Sequence, residues 1–163
     1  MKVSVLCFDL SSNSFGRAWL LAKSASKFFD VEIVGPSRRG DIWAPMAQMD
    51  IPVKIFSWKR YPAFYQVTHN ILEAIDGDVI LASKLMPTSF GIGLQKKKSS
   101  GKPLILDIDD WELGFFYHSG LFGRIGRFLN FSNPNGLPYV YRMEQLFDQA
   151  DAVSVSNLFL KKK

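Results

Sequence analysis

The chain has 163 residues, 47% of them apolar and 21% charged, which excludes an intrinsically disordered chain and suits one domain with a substantial core. The net charge is +5 and Cys7 is the single cysteine, so a disulfide within the chain is excluded and a reducing, cytoplasmic compartment is expected. Cys7 lies in an apolar run, which predicts a buried thiol. No apolar stretch approaches the length of a spanning helix, so we expect any membrane contact to be peripheral, at the inner face of the membrane.

Short β-rich runs alternate with helical patterns along the chain. Strands are predicted over residues 3–8, 31–34, 53–56, 78–82, 103–107 and 152–155. Helices are predicted over residues 15–29, 63–75 and 88–98, and a further helix is marked by Val140, Met143, Phe147 and Ala150. Residues 37–50 are predicted to form a loop, and residues 111–134 show no clear period.

This alternation predicts a parallel sheet covered by helices on both faces, a doubly wound, Rossmann-like α/β domain over residues 1–163. A new helix is predicted from Asn157, but the chain ends there without a C-terminal Gly or turn. This pattern favours the front half of a larger protein.

Ligands of an open parallel sheet bind beyond the carboxyl ends of its strands. The first loop at that edge contains Ser12, Asn13, Ser14 and Gly16 and opens the first helix. Free N–H groups and the helix dipole there favour an anion, although the same residues also suit an ordinary helix cap. The loop lacks the G-x-G-x-x-G pattern, which removes the usual support for dinucleotide binding. It does not have the P-loop pattern either.

An acidic run follows the fifth predicted strand. It holds four carboxylates in six residues, Asp107, Asp109, Asp110 and Glu112. Such carboxylates repel one another unless a cation compensates them. Three interpretations stay open: a metal site, hydrogen bonding or general-base catalysis on a hydroxyl-rich substrate, and capping or pairing with basic side chains.

Two neighbours of the acidic run have open roles as well. Trp111 either stacks on a sugar or closes the core. Lys84, which follows the fourth predicted strand, pairs with the carboxylates, binds a phosphate or stays solvated. Residues 115–129 mix aromatics, glycines and two arginines, which suits a membrane surface, a substrate-covering loop or packing on a domain.

Several segments, in their order along the chain, resemble segments of a known protein family. They are Gly16-Arg17-Ala18 opening a helix, DVEIVGP at 30–36, DVILASK at 78–84 with PTS at 87–89, GKPLILDIDDWE at 101–112 and ADAVSVS at 150–156. In this order and spacing the chain resembles the N-terminal domain of GT-B-type glycosyltransferases, which are retaining enzymes that use nucleotide-sugars. Many relatives carry a His after the fifth strand and a Gly-Gly pair in the first loop, where this chain has the acidic run and Ser-Asn-Ser-Phe-Gly.

The resemblance implies a two-domain enzyme with a cleft between its domains. This chain would contribute the side that binds a glycan or lipid-linked acceptor, a donor-binding domain would lie beyond residue 163, and the isolated chain would be inactive. Asp109 and Asp110 would be catalytic. The substrate-binding residues would be Ser12, Asn13, Ser14, Gly16, Lys84, Trp111 and Glu112. The nucleotide-sugar would be a co-substrate, with no metal and no resident cofactor.

The main alternative is a non-catalytic Rossmann-like module that binds a sugar, a nucleotide or a protein partner. A phosphoacceptor receiver domain needs an acidic pair after the first strand and an Asp to be phosphorylated after the third. It is disfavoured, because Asp9 stands alone after the first strand and Ser57-Trp58-Lys59 follows the third. No nucleic-acid partner is expected, since much of the positive excess lies in two short lysine runs, 96–98 and 161–163, and not in a continuous basic stripe.

Overall fold

The computed structural model describes residues 1–46, 50–117, 121–157 and 160. Six strands within them form one sheet, and each neighbouring pair of strands is parallel. The strands are β1 (Lys2–Leu6), β2 (Asp30–Ser37), β3 (Val53–Ser57), β4 (Val79–Ser83), β5 (Leu104–Ile108) and β6 (Ala152–Val155). Their order in the sheet is β3-β2-β1-β4-β5-β6, which confirms the predicted doubly wound α/β fold.

Helices connect the strands in the described part of the chain. They are α1 (Ser14–Ala25), α2 (Phe64–Ala74), α3 (Ile92–Ser100), α4 (Gly114–Tyr117), α5 (Leu121–Phe128) and α6 (Leu137–Glu144). A π-helical turn, Pro87–Gly91, leads directly into α3. None of the helices in the described ranges combines the length and apolar character needed to cross a bilayer.

The two faces of the sheet carry separate cores because successive strand residues point to opposite sides. On one face, Phe15 and Ala18 of α1 pack with Val5 of β1 in a buried apolar cluster. On the other face, Leu6 of β1 belongs to a cluster with Phe64 of α2 and with residues of the α3 region. Both layers of helices therefore pack on β1, which pairs with β2 on one side and with β4 on the other.

Several predicted boundaries are wrong. The strand predicted over residues 3–8 ends at Leu6, and α1 ends at Ala25 instead of residue 29. The strand predicted over residues 31–34 continues through Gly35 and Pro36 to Ser37, because both residues pair with β3. A side chain on Gly35 would place its Cβ 2.3 Å from the carbonyl oxygen of Cys7, so the close approach of these strands requires glycine.

The second half of the chain also differs from the prediction. The helix marked by Val140 and Met143 ends at Glu144, and Phe147 belongs to a separate 3-10 turn. The stretch without clear period contains α4 and α5. The helix predicted from Asn157 lies partly outside the described residues; within them, the Asn157 side chain accepts a hydrogen bond from the N–H of Leu160 at 3.0 Å. The lysine run 161–163 lies wholly outside them.

Candidate functional site

A cavity of about 260 Å³ opens at the carboxyl edge of the sheet, where the chain passes from one half of the sheet to the other. This point lies between β1 and β4, and in doubly wound sheets it is the usual place for a ligand. We call it the switch-point cavity. Its walls are Phe8, Asn13, Ser14, Arg17, Lys84, Asp109, Asp110, Glu112 and Phe115.

The side chain and carbonyl of Asp9 organise the first loop. The Asp9 carboxylate accepts hydrogen bonds from the Ser11 N–H at 3.1 Å and the Ser11 hydroxyl at 2.7 Å. Its backbone carbonyl accepts the hydroxyls of Ser12 and Ser14 at 3.1 and 2.9 Å. The serines therefore hold the loop in shape, while Asn13, whose side chain makes no capping hydrogen bond, lines the cavity.

The expectation of free N–H groups in this loop is wrong for most of its residues. The N–H groups of Ser12, Phe15 and Gly16 donate to carbonyls of the loop at 3.4, 3.0 and 3.0 Å. The Ser11 N–H is taken by Asp9. What remains of the predicted anion site is the small-residue opening at Asn13 and the positive end of the α1 dipole.

Lys84 is the centre of the opposite wall. Its Nζ lies 2.9 Å from Asp109 Oδ1, 2.7 Å from Asp110 Oδ2 and 3.1 Å from Glu112 Oε1, and we call these three carboxylates the acid cluster. Burial by itself lowers the pKa of Lys84, but the charge of Glu112, the hydrogen bond to Asp110 and the charge of Asp109 raise it above its usual value. The ammonium is therefore charged, and its pairing with the carboxylates, one of the interpretations left open, is what the structure shows.

The backbone of Lys84 is held in an unusual conformation. Its φ of +73° lies in the left-handed region, which among the described non-glycine residues is found only here. The Lys84 N–H donates to the carbonyl of Asp107, and the Lys84 carbonyl accepts the hydroxyl of Ser89, each at 2.9 Å. Strained residues of this kind persist where the surroundings fix them, and they concentrate at functional sites.

The acid cluster has the spacing of a metal site, with one oxygen of each carboxylate within 4.8 Å of the others. The Lys84 ammonium, however, lies within 3.1 Å of an oxygen of each carboxylate, so it holds the position that a cation would take. The donor set therefore fits an internal ion-pair cluster better than a metal centre.

The fourth carboxylate of the acidic run, Asp107, has a different partner. Its two oxygens accept a fork of hydrogen bonds from Arg17 Nε and Nη2, both at 2.8 Å, and the Ser154 hydroxyl donates to Oδ1 at 2.7 Å. This hydrogen bonding raises the pKa of Arg17. Since Asp107 is fully buried, the contact ties α1 to β5 and β6 and places Arg17 in the cavity wall.

The carboxylates of the acid cluster differ in how accessible they are, and the pKa of Glu112 is shifted. Burial raises the pKa of Glu112, although Lys84 opposes the shift. Asp110 is the most open, with 47% of its side chain exposed, against 20% for Asp109. Three carboxylates against one ammonium leave a negative excess, so the wall can attract hydroxyl hydrogens or a further positive charge.

Trp111 closes part of the core beside this wall. Its ring packs with the buried residues Met86, Leu113 and Val140, and its Nε1 donates to Glu144 at 2.9 Å. Trp111 also lines a separate, largely apolar cavity of about 230 Å³. The ring is thus anchored in the fold, and it does not line the switch-point cavity.

The switch-point cavity brings together six residues that the sequence analysis singled out, namely Asn13, Ser14, Lys84, Asp109, Asp110 and Glu112. Ser12, Gly16 and Trp111 do not line it. Sequence reasoning missed Phe8, Arg17 and Phe115. For Arg17 the available signal was a basic residue in the first turn of a helix that opens at the edge carrying the acidic run.

Comparison with known proteins does not assign a family. Neither a protein-family model nor a curated protein sequence matches this chain.

Proposed function

We propose that the chain is the acceptor-side half of a retaining, nucleotide-sugar-dependent glycosyltransferase of the GT-B type, acting on a glycan or a lipid-linked acceptor. The observation that carries the proposal is that Asn13 and Ser14 of the first loop share one cavity with Asp109 and Asp110 after β5. Sugar transfer from a diphosphate to a hydroxyl needs an anion-tolerant side and a hydroxyl-binding side next to each other. A second lobe facing this edge would complete the cleft.

The proposed roles follow from the chemistry of the transfer. The acceptor oxygen forms a bond to the anomeric carbon, while the bond from that carbon to the donor diphosphate breaks and leaves its electrons on the phosphate. The α1 N-terminus beside Asn13 would stabilise the departing negative charge. Asp110, the open carboxylate, would accept the proton that the acceptor hydroxyl releases as the new bond forms, and Glu112 would help to bind the acceptor.

The test uses the complete reading frame that contains this chain. Transfer is measured from a panel of nucleotide-sugars to glycan and lipid-linked acceptors, first for the complete protein and then for residues 1–163 alone. We expect transfer by the complete protein and none by the isolated chain, because half of the cleft is missing. A complete protein that moves no sugar would contradict the proposal.

Variants of the complete protein sharpen this test. Asp110→Asn should lower kcat about 100-fold, because the loss of a positioned acid or base costs at least that much. Asp148→Asn is the matched control, since Asp148 is exposed and precedes β6 at the opposite edge of the sheet, and it should leave kcat unchanged. Wild-type kcat in the Asp110 variant would remove this residue from the mechanism.

One observation favours the alternative of a non-catalytic binding module. All three carboxylates of the acid cluster are paired with Lys84, which lowers their availability to a substrate. Calorimetry of the isolated chain against nucleotides and glycans separates the two functions. Tight nucleotide binding by this chain alone would contradict the acceptor-side assignment and favour the module.

We also propose a peripheral contact with the cytoplasmic face of a membrane. The region of α5 exposes four large apolar side chains, Phe115, Phe128, Leu129 and Phe131. Arg127 lies in the same region and supplies positive charge. Exposed aromatics combined with basic residues are typical of proteins that lie on anionic lipid surfaces.

A further inference from the structure

A second cavity, of about 270 Å³, opens at the same edge of the sheet as the switch-point cavity, but beyond β2 and β3. It is lined by Arg38, Trp58, Arg60 and Asn133, and we call it the arginine cavity. Arg38 follows β2 directly and Trp58 follows β3, while Asn133 comes from the loop before α6. Topology therefore gathers two arginines, an amide and an aromatic ring from three distant parts of the chain.

Arg38 is held in place on two sides. Its guanidinium lies over the ring of Trp58, 4.4 Å from the ring centroid. Its Nε lies 3.5 Å from Asp9 Oδ2, and its backbone N–H donates weakly to Asp9 Oδ1 at 3.4 Å. An arginine fixed in this way loses little conformational entropy when it binds a ligand.

Arg60 brings a charge that the fold leaves uncompensated. Its Nη1 donates to the hydroxyl of Ser132 at 3.1 Å, and no carboxylate of the described residues lies within 4 Å of the guanidinium. Arg39 and Lys59 are exposed next to the cavity residues in sequence and add to the positive charge. The carboxylate that faces Arg38, Asp9, is buried and already accepts two hydrogen bonds from Ser11.

We propose that the arginine cavity binds the phosphoryl group of a ligand. Two guanidinium groups match the two negative charges of a phosphate monoester, and their planar forks suit phosphate oxygens. The Asn133 amide can donate a further hydrogen bond. The cavity is larger than one phosphate, so it leaves room for the group to which the phosphate is attached. This binding goes beyond the proposed transfer reaction and needs no second domain.

The test is a titration of the chain with inorganic phosphate, then pyrophosphate, followed by calorimetry and by amide chemical shifts. We expect saturable binding that weakens at least tenfold in Arg60→Gln and in Arg38→Gln. Arg39→Gln is the matched control, because it removes the same charge from an exposed arginine that does not line the cavity, and it should change the Kd less than twofold. Arg60→Lys keeps the charge but not the fork and should bind several-fold more weakly.

The Arg60 variants keep the test decisive if Arg38→Gln disturbs the fold through Asp9, because the exposed Arg60 side chain hydrogen-bonds only to the Ser132 hydroxyl among the described residues. Equal losses in the Arg39 and Arg60 variants, or no saturable binding, would overturn the proposal. Sedimentation with vesicles containing phosphatidic acid, repeated with the same variants, distinguishes a lipid phosphate from a soluble one. None of these readouts depends on sugar transfer, so the proposed function can fail while this site stands.

Discussion

The two cavities at the carboxyl edge of the sheet handle charge in opposite ways. In the switch-point cavity an internal ammonium, Lys84, faces three carboxylates, and the wall keeps a negative excess. In the arginine cavity the positive charge of Arg60 meets a neutral hydroxyl, and Asp9 is the one carboxylate of the described residues that pairs with Arg38. One edge thus offers a negative wall suited to hydroxyls and a positive wall suited to an anion. Removing a charged side chain should therefore lower the unfolding free energy strongly at the switch-point cavity and little at the arginine cavity.

The largest effect is expected from Arg17→Met. The fully buried carboxylate of Asp107 would lose its fork of hydrogen bonds and its opposite charge and keep only the hydrogen bond from Ser154 among its side-chain partners, which costs about 3–5 kcal/mol of unfolding free energy. Urea unfolding measures it. The control Arg39→Met, on the arginine side of the same edge, should change stability by less than about 0.5 kcal/mol. Equal losses of stability in the Arg17 and Arg39 variants would show that the two cavities do not differ in how their charges are paired.

Lys84→Met should have the next largest effect. Removing the ammonium leaves three carboxylates facing one another, at a cost of about 2 kcal/mol, less than for a fully buried pair because Asp110 is half exposed. The loss should shrink as the pH falls and the carboxylates take up protons. Lys84→Gly separates charge from backbone strain, since it relieves the left-handed φ of +73° but still lacks the ammonium. A glycine variant as stable as the native chain would mean that the relief of strain offsets the loss of the ammonium.

Glu112→Gln tests the sign of the charge balance. Burial raises the pKa of Glu112 in the folded chain, so the contribution of Glu112 to stability falls as the pH rises from the unfolded pKa of about 4.3 through the folded value, and then levels off. Glutamine carries no charge, so the variant should be more stable than the native chain at pH 7 and equal to it near pH 3. Thermal unfolding against pH measures this, with the exposed Glu73→Gln as control. A less stable variant at pH 7 would mean that the Lys84 pair outweighs burial.

Prediction from the sequence succeeded where the pattern is local. The alternation of strands and helices gave the parallel sheet, and β6 was predicted to the residue at 152–155. The loops after β1 and β5 were expected at one edge because parallel strands end together. The left-handed backbone of Lys84 was not predictable, since such a position favours glycine and the sequence shows lysine.

The arginine cavity escaped prediction for a different reason. Asn133 and Ser132 come from a stretch without helical or strand period, about 70 residues after Arg60 in the chain, and only the folded loop brings them beside β3. The same holds for the fork between Arg17 and Asp107, which are 90 positions apart. Local patterns place elements, but the partner of each charge depends on how loops from distant strands meet.

The smallest effect is expected at the surface next to the arginine cavity. Phe131 precedes Ser132 and, with Phe128, belongs to the exposed apolar side chains of the α5 region. If this edge meets a lipid phosphate, Phe128→Ser with Phe131→Ser should lower the fraction of protein that sediments with anionic vesicles by about threefold, and high salt should release the rest. The control is Phe28→Ser, which removes a 79% exposed ring just before β2, at the opposite edge of the sheet. If neither high salt nor the paired substitution changes the fraction of protein that sediments, the arginine cavity would bind only soluble phosphates.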